Sequence, residues 1–166
     1  MMSETNAAVL AEPDVQRLLT EAALARLAYV AANGYPIVVP VGFLWKDDAV
    51  IVCTATTAPK VKAIRRSPGV ALEIEGGQGA EQLLLIKGDA AIDIVDGVPD
   101  EYLAMSRRTM TADEAEQFES QVRSVYRQMA RITITPAWVR FYDFPAGRLP
   151  PFLAALVEDA ASQHHS

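Results

Sequence analysis

The sequence is short of the side chains that most often bind metals or act as nucleophiles. Its 166 residues include one cysteine, Cys53, and two histidines, His164 and His165, both within the last three positions. A single cysteine cannot form an intramolecular disulfide, and Cys53 lies in the apolar run AVIVC, where an inert buried thiol is expected. A catalytic triad needs a positioned base, which no internal histidine supplies. We therefore predict no metal site and no catalytic side chain, so that a cofactor would have to carry any chemistry.

Positive charge and long apolar runs are also scarce. The formal net charge is −6, which leaves no basic excess to neutralise the phosphates of a nucleic acid. No apolar run approaches the roughly 18 to 20 residues of a membrane span, and the acidic N-terminus MMSETNAAVLAEPD carries no secretory signal. These features predict a cytoplasmic protein without nucleic-acid or membrane partners.

What the chain does have is the composition and patterning of one globular domain. Half of it is apolar (51%) and 22% is charged, and neither an internal repeat nor a linker interrupts residues 1–166. The spacing of apolar residues alternates along the chain between that of helices and that of strands. It predicts about six strands, mostly in hairpins, with helices between them and at the ends. This order favours a mainly β fold, a small closed β-barrel with peripheral helices, over a parallel α/β sheet.

Turn residues locate the strands. Asn33-Gly34 between two β-rich runs predicts a hairpin, and the prolines at 36 and 40 should confine the second run to a sheet edge or break it at a bulge. The turn KDD then leads into AVIVCT, so two neighbouring tight connections predict an antiparallel meander. Gly88 is expected to bend or bulge the long strand EQLLLIKGDAAIDIV.

The second half of the chain has two predicted helical segments. Residues 98–130 read as helical, with a break at Thr111, where Glu114 three positions later would complete a capping box. Residues 145–166 are expected to form a Pro-rich tail with one short helix.

The stretch CTATTAPKVK, residues 53–62, gathers hydroxyls and two positive charges at the end of a strand. Thr57 is placed to cap a following helix, with Pro59 in its first turn. Lys60 and Lys62 then lie near the positive end of the helix dipole, an unfavourable position that a bound phosphate would compensate. Two interpretations remain open on these residues alone, a polar connection between strand and helix or a phosphate site.

The order of motifs from about Leu19 to Val95 resembles the flavin-binding split-barrel family, often called pyridoxamine 5′-phosphate oxidase-like. The motifs are a helix leading into a hairpin, the run PIVVPV, a strand ending in threonines, the short helix PKVKAIRRSP, and the strand VALEI. The closing strand ITITPAWVRFYDF also fits this family, whereas residues 98–130 are an insertion that the core pattern does not require. The resemblance implies a six- to seven-stranded antiparallel FMN-binding split barrel of Greek-key type.

The resemblance also implies which residues hold the phosphate of the cofactor. They belong to the strand-to-helix stretch and are Thr54, Thr56, Thr57, Lys60 and Lys62. In this family the cofactor is deazaflavin coenzyme F-420 or FMN.

Three further residues, Pro40, Val41 and Gly42, would lie along the isoalloxazine or deazaflavin ring. Cofactors of this family sit at the interface of a homodimer. Trp138, Arg140 and the Pro-rich tail would therefore cover the site of the partner subunit.

The chain departs from true pyridoxamine phosphate oxidases in two places. WVRFYDFPAGRLPPF does not reproduce their Arg-rich C-terminal motif, and YPIVVPVGFLW lacks the arginine that they place near the flavin phosphate. Vitamin B6 oxidation is therefore not expected. The predicted function is a flavin- or deazaflavin-dependent oxidoreductase that transfers hydride between the bound cofactor and a small organic acceptor. The alternative is a non-catalytic dimer that binds or stores FMN or the deazaflavin.

Overall fold

A computed structural model of the chain describes residues 4–79 and 81–163, in which one sheet of seven strands is accompanied by six helices. The strands are β1 (Ala25–Val30), β2 (Pro36–Val41), β3 (Leu44–Lys46), β4 (Ala49–Ala55), β5 (Gly69–Gly76), β6 (Gln82–Asp96) and β7 (Gln128–Asp143). The helices are α1 (Glu4–Leu10), α2 (Pro13–Glu21), α3 (Pro59–Arg66), α4 (Asp100–Arg107), α5 (Ala112–Val125) and α6 (Pro151–Gln163). No helix within this described part is long and apolar enough to cross a membrane.

The sheet is antiparallel, and its strand order is β2-β1-β5-β6-β7-β4-β3. The two edge strands, β2 and β3, are joined only by Gly42 and Phe43. Such a link spans at most about 11 Å, whereas the edges of seven flat strands would lie roughly 29 Å apart. The sheet therefore curls until its edges approach each other, as a split barrel requires, and the predicted mainly β fold is confirmed.

The first hairpin confirms the prediction from Asn33-Gly34. Gly34 has a left-handed backbone with φ of 84°, which glycine adopts without steric cost. β2 begins at Pro36 and lies at the edge of the sheet, where the missing amides of Pro36 and Pro40 cost the fewest ladder hydrogen bonds.

The predicted meander is wrong. The hairpins β1–β2 and β3–β4 follow each other in sequence but lie at opposite ends of the strand order. The cause is the link between them, because the side chain of Phe43 is fully buried in the inner core. The chain thus passes directly from one edge of the curled sheet to the other at this point, and β5, β6 and β7 lie in the sheet between the two hairpins.

The predicted bulge at Gly88 is confirmed. Lys87 lies opposite Trp138 and Gly88 lies opposite Pro136, so Ala137 is the extra residue on β7. The buried side chain of Asn6 pairs with the backbone at this irregularity. Its Nδ2 donates to the carbonyl oxygen of Ala137 (2.7 Å), and its Oδ1 accepts from the amide of Val139 (3.2 Å).

Two helices, α4 and α5, occupy most of the segment between β6 and β7. The capping box is present, because the Thr111 hydroxyl accepts from the Glu114 amide and the Glu114 carboxylate accepts from the Thr111 amide. The expected helix extends too far, since β7 already begins at Gln128. Met129 and Ala130 are buried and pair with both β4 and β6, and this pairing outweighs their helical spacing.

The buried apolar side chains form two clusters on opposite faces of the sheet. The inner cluster fills the barrel and includes Leu27, Phe43 and Ile64. The second cluster packs α4 and α5 against β4 and the start of β7, through side chains such as Leu103 and Val122. The outside of β3 and β4 is therefore covered by this helical pair.

Candidate cofactor site

A cavity of about 640 Å³ lies between the β1–β2 hairpin and the beginning of α3. Its volume falls in the usual range of small-molecule sites. The hairpin contributes four lining residues and the segment entering α3 contributes six. They are Tyr29, Ala31, Ala32, Ile37, Thr56, Thr57, Ala58, Pro59, Lys62 and Ala63.

The chain enters α3 beside this cavity. The N-cap position is Ala58, with extended backbone and no side-chain capping bond, and Pro59 is the first helical residue. The prediction that Thr57 caps the helix is therefore wrong, because the helix begins one residue later. Thr57 is exposed and lines the cavity.

The charge of α3 is of one sign. Its eight residues include Lys60, Lys62, Arg65 and Arg66 and no acidic residue. Within the described residues, neither lysine forms an ion pair, so their charge is not neutralised by a carboxylate. Arg66 donates to the carbonyl oxygen of Ala32 at 3.3 Å, which ties α3 to the hairpin across the cavity. The donors fit a phosphate group, which needs cations, hydroxyls and helix N-terminal amides.

The structure brings together three of the five residues expected to hold the phosphate. Thr56, Thr57 and Lys62 line one cavity. Thr54 and Lys60 do not line it; Thr54 lies opposite Ala130 in the β4–β7 ladder, and Lys60 is half-buried in the first turn of α3. A role for these two residues in cofactor binding stays a prediction.

The three residues expected along the ring lie outside this cavity. Pro40 is exposed opposite Arg26, in a separate cleft of about 320 Å³. Val41 is buried in the inner core, and Gly42 faces Met105, whose sulfur would lie 3.4 Å from a Cβ added at Gly42. Their contact with a cofactor ring stays a prediction as well.

Sequence reasoning missed the hairpin wall of the cavity. Tyr29 and Ile37 lie directly opposite each other on β1 and β2 and form the apolar side of the site. The available signal was the turn at Asn33-Gly34. Once that turn fixes the hairpin register, Tyr29 and Ile37 become neighbours on one face.

The outer face of the sheet carries a second feature. One row of directly paired residues crosses five strands, in the order Val38, Ala28, Ala71, Lys87 and Trp138. Alanines occupy the middle of the row and larger side chains its flanks, so that the surface is concave. We call this hollow of about 320 Å³, lined by these five residues and their neighbours, the outer trough.

Trp138 and Arg140 belong to this outer face and not to the cavity beside α3. Two cations bracket the ring of Trp138: Lys87 Nζ lies 4.1 Å and Arg140 Cζ lies 4.8 Å from its centroid. Each cation–π contact is favourable by about 0.5 to 1 kcal/mol at an exposed site. The expectation that these residues cover a partner's cofactor stays a prediction.

Cys53 is the only cysteine of the described residues, and its thiol is free. It is buried in the second cluster, where burial and the nearby Glu101 carboxylate raise the pKa of its thiol to about 12. No group of three or more metal-binding side chains occurs in residues 4–79 and 81–163. His164 and His165 lie outside the described residues.

Comparisons with known proteins give the chain its family. The model of the family described as pyridoxamine 5′-phosphate oxidase matches residues 11–143. No curated protein matches the sequence. Solved structures show the same fold. They include an F-420 reductase, 23% identical with a TM-score of 0.58, over 75% of this chain and 94% of that chain.

Two further structures extend this comparison. A conserved hypothetical protein from Mycobacterium tuberculosis is 18% identical, with a TM-score of 0.65 over 90% of each chain. A heme storage protein from Vibrio cholerae is 16% identical, with a TM-score of 0.56 over 80% of this chain and 93% of that chain. The family model covers most of the sequence, including all of the cavity and the outer trough. The chain therefore belongs to the pyridoxamine 5′-phosphate oxidase family.

Proposed function

We propose that this protein is an oxidoreductase that binds FMN or the deazaflavin coenzyme F-420 beside α3. It would transfer hydride between the cofactor and a small organic acceptor. One observation carries the proposal: Thr56, Thr57 and Lys62, which the family resemblance selects as phosphate ligands, line a single cavity. Membership of the family and the fold shared with an F-420 reductase support the same cofactor class.

The phosphate end of the cofactor fits the entrance to α3. Lys62 supplies a cation that no carboxylate among residues 4–79 and 81–163 neutralises, and the hydroxyls of Thr56 and Thr57 supply donors on the same wall. Pro59 has no amide hydrogen, and the amide of Val61 donates to the carbonyl oxygen of Ala58 (2.9 Å), so the backbone contributes chiefly the positive potential of the helix dipole. These groups would fix the cofactor at one end and leave its ring to contact an apolar surface.

The hairpin wall suits the ring end. Tyr29 and Ile37 offer apolar surface, and such a wall holds a planar ring while excluding water. When bound, the cofactor supplies the hydride chemistry, and the protein contributes proximity and orientation. No side chain of the cavity is assigned a proton-transfer role.

A second copy of the chain completes the proposal. The outer trough is open, and its flank Val38 is 61% exposed, an unusual exposure for a large apolar residue on a sheet. Uncovered apolar surface of this kind marks an interaction site. A homodimer that covers this face would bury on the order of 2,000 Å² or more.

The alternative function is a dimer that binds or stores FMN or the deazaflavin without turnover. Two observations support it: the cavity is lined by no carboxylate and no histidine of the described residues, and a heme storage protein shares the fold. Storage and catalysis require the same binding site, so only turnover separates them.

The test has two steps. The purified protein is titrated with FMN, with coenzyme F-420 and with hemin, and fluorescence or absorbance is followed. We expect one of the two flavin-type cofactors to bind, with a small preference for the deazaflavin. The tighter complex is then reduced and mixed with quinones, nitroaromatics, linear tetrapyrroles and unsaturated ketones. Reoxidation by an acceptor supports the oxidoreductase, whereas binding without reoxidation supports storage. If only hemin binds, the proposed cofactor class is wrong.

A further inference from the structure

The C-terminal helix α6 exposes apolar side chains that no other described residue of its own chain covers. Among its residues, Pro151–Gln163, none is buried, and Phe152, Leu156 and Val157 are 72%, 60% and 54% exposed. Phe152 and Leu156, four residues apart, lie on one side of the helix, and Val157 widens this apolar side by the 100° turn of one residue. An isolated helix of this length is marginal in water, so this surface needs a partner.

α6 starts from a fixed base and is not a loose tail. Asp143 and Arg148 exchange two backbone hydrogen bonds, with N···O distances of 3.0 and 2.9 Å. The guanidinium of Arg148 also forms a two-pronged ion pair with the Glu12 carboxylate at the start of α2. The turn before the helix is therefore held against the barrel, and α6 leaves the barrel in a defined direction.

The outer trough has the dimensions of a helix. A helix about 10 Å wide covers two strand spacings, which corresponds to β1, β5 and β6. The eight residues of β5 are roughly 26 Å long, enough for the roughly 20 Å length of α6. Ala28 and Ala71 leave space at the centre of the trough, between Val38 and Trp138 at its sides. A ridge formed by Phe152 and Leu156 fits such a depression.

Charge also matches the two surfaces. Glu158 and Asp159 are the only charged residues of α6; Asp159, seven residues after Phe152, lies on its apolar side, and Glu158 lies on its polar side. The trough presents Lys87 beside Trp138, with Arg140 on the other side of that ring, while its other two charged lining residues, Arg26 and Glu73, pair with each other (3.1 Å). In a single chain α6 stays exposed while the trough stays open, so each surface is available to a second copy.

We propose that α6 of one protomer packs on the outer trough of its partner. Its apolar side would cover Ala28, Ala71 and Trp138, and the Asp159 carboxylate would pair with Lys87 or Arg140. The exchange is reciprocal, as a two-fold dimer requires. This inference rests on the homodimer proposed above and names the element that closes it.

Trp138 provides the readout. In a Trp45→Phe background, Trp138 is the only tryptophan, and its access to acrylamide can be measured in the full-length protein. We expect Leu156→Asp to increase quenching of Trp138 and to shift its emission to the red, because burying a carboxylate in place of the docked leucine would undock the helix. Ser162→Asp adds the same charge on the polar side of α6 and should leave both signals unchanged.

A second experiment shows whether the contact joins two chains. Leu156→Cys and Ala71→Cys variants, each with a different tag, are co-expressed and oxidised. We expect a disulfide between the two differently tagged chains, and the buried Cys53 should not compete for it. A disulfide-free mixture, or equal quenching in Leu156→Asp and its parent, would overturn the docking of α6.

The failure of the dimer itself would look different. Sedimentation of the unmodified protein as a monomer at micromolar concentration would remove the homodimer and the α6 contact together. A stable dimer with an unprotected Trp138 would remove only the α6 contact. The cofactor titration does not depend on either result.

Discussion

Gly88 on β6 lies so close to Thr135 on β7 that there is no room for a side chain between them. A Cβ added at Gly88 would lie 2.9 Å from the carbonyl carbon of Thr135 and would overlap its oxygen. This close approach occurs at the bulge, where the register of the two longest strands shifts. The neighbouring atoms belong to the backbone, which cannot move aside as a flexible side chain could.

We therefore expect Gly88→Ala to lower the free energy of unfolding by about 3 kcal/mol or more. Urea denaturation would measure the loss. Gly69 provides the matched control, because a Cβ there has no atom within 4 Å and its backbone is not left-handed. Gly69→Ala should change stability by less than about 1 kcal/mol. Similar stabilities for the two variants would contradict the proposed clash.

Asn6 should be a large contributor to stability for a residue so near the N-terminus. It is 4% exposed and pairs with two backbone groups of β7 across the bulge. Asn6→Ala would leave the carbonyl of Ala137 and the amide of Val139 without this partner, at a cost of about 1 to 3 kcal/mol. Thr5→Ala, on an exposed neighbour in α1, should be close to neutral in the same urea titration.

Cys53 is expected to resist alkylation until the protein unfolds. Burial, with the Glu101 carboxylate, raises the pKa of this thiol to about 12, so almost no thiolate exists at pH 8. The pKa of this thiol is higher in the folded protein than in the unfolded chain, where it is about 8.5. Between about pH 8.5 and pH 12 the unfolded chain therefore loses this proton while the folded protein keeps it, and this difference favours unfolding. The free energy of unfolding should fall as the pH rises over that range, and it should fall less steeply in Cys53→Ala. Labelling with iodoacetamide, followed by mass, would test this, and rapid labelling of the native protein would contradict it.

Glu101 should contribute to the loss of folding stability at acid pH. Burial alone would raise the pKa of its carboxyl, but a backbone hydrogen bond and the cations of Lys46 (3.2 Å) and Arg131 (3.7 Å) lower it overall. Since the folded pKa is the lower one, this stabilisation is present above about pH 4.3 and is lost as the pH falls further. In Glu101→Gln the free energy of unfolding should depend less on pH below about pH 4.3. Glu116→Gln, on the exposed side of α5, should show the same dependence as the unmodified protein.

Lys62 and Lys60 offer a close comparison for the cofactor site. Lys62→Ala should weaken binding of FMN or coenzyme F-420 by about 1.5 to 3 kcal/mol, because a charge-assisted contact is lost. Lys60→Ala should have a smaller effect, since Lys60 does not line the cavity. Added salt should weaken binding to the unmodified protein more than to the double variant. Unchanged affinity in the double variant would make CTATTAPKVK a polar connection.

Features determined by neighbouring residues could be predicted from the sequence. The hairpin at Asn33-Gly34, the capping box at Thr111 and the bulge at Gly88 each depend on local backbone preferences or on a short side chain. Thr56, Thr57 and Lys62 could be grouped for the same reason, because they lie within seven consecutive residues.

Features that depend on distant pairing could not be predicted. The spacing of Met129 and Ala130 fits a helix as well as a strand, and only their partners on β4 and β6 decide between them. The wall of Tyr29 and Ile37 likewise requires the folded position of α3 beside the hairpin. The row from Val38 to Trp138 combines five strands from distant parts of the chain, so no local sequence pattern predicts it.

The two-residue link between β2 and β3 has a consequence for solubility. A seven-stranded sheet laid flat would offer two unpaired edges, each a template for pairing with other molecules. Gly42 and Phe43 hold those edges near each other, and the prolines of β2 remove two of its amide donors. The connection that closes the barrel therefore also protects the chain from aggregation through its strand edges.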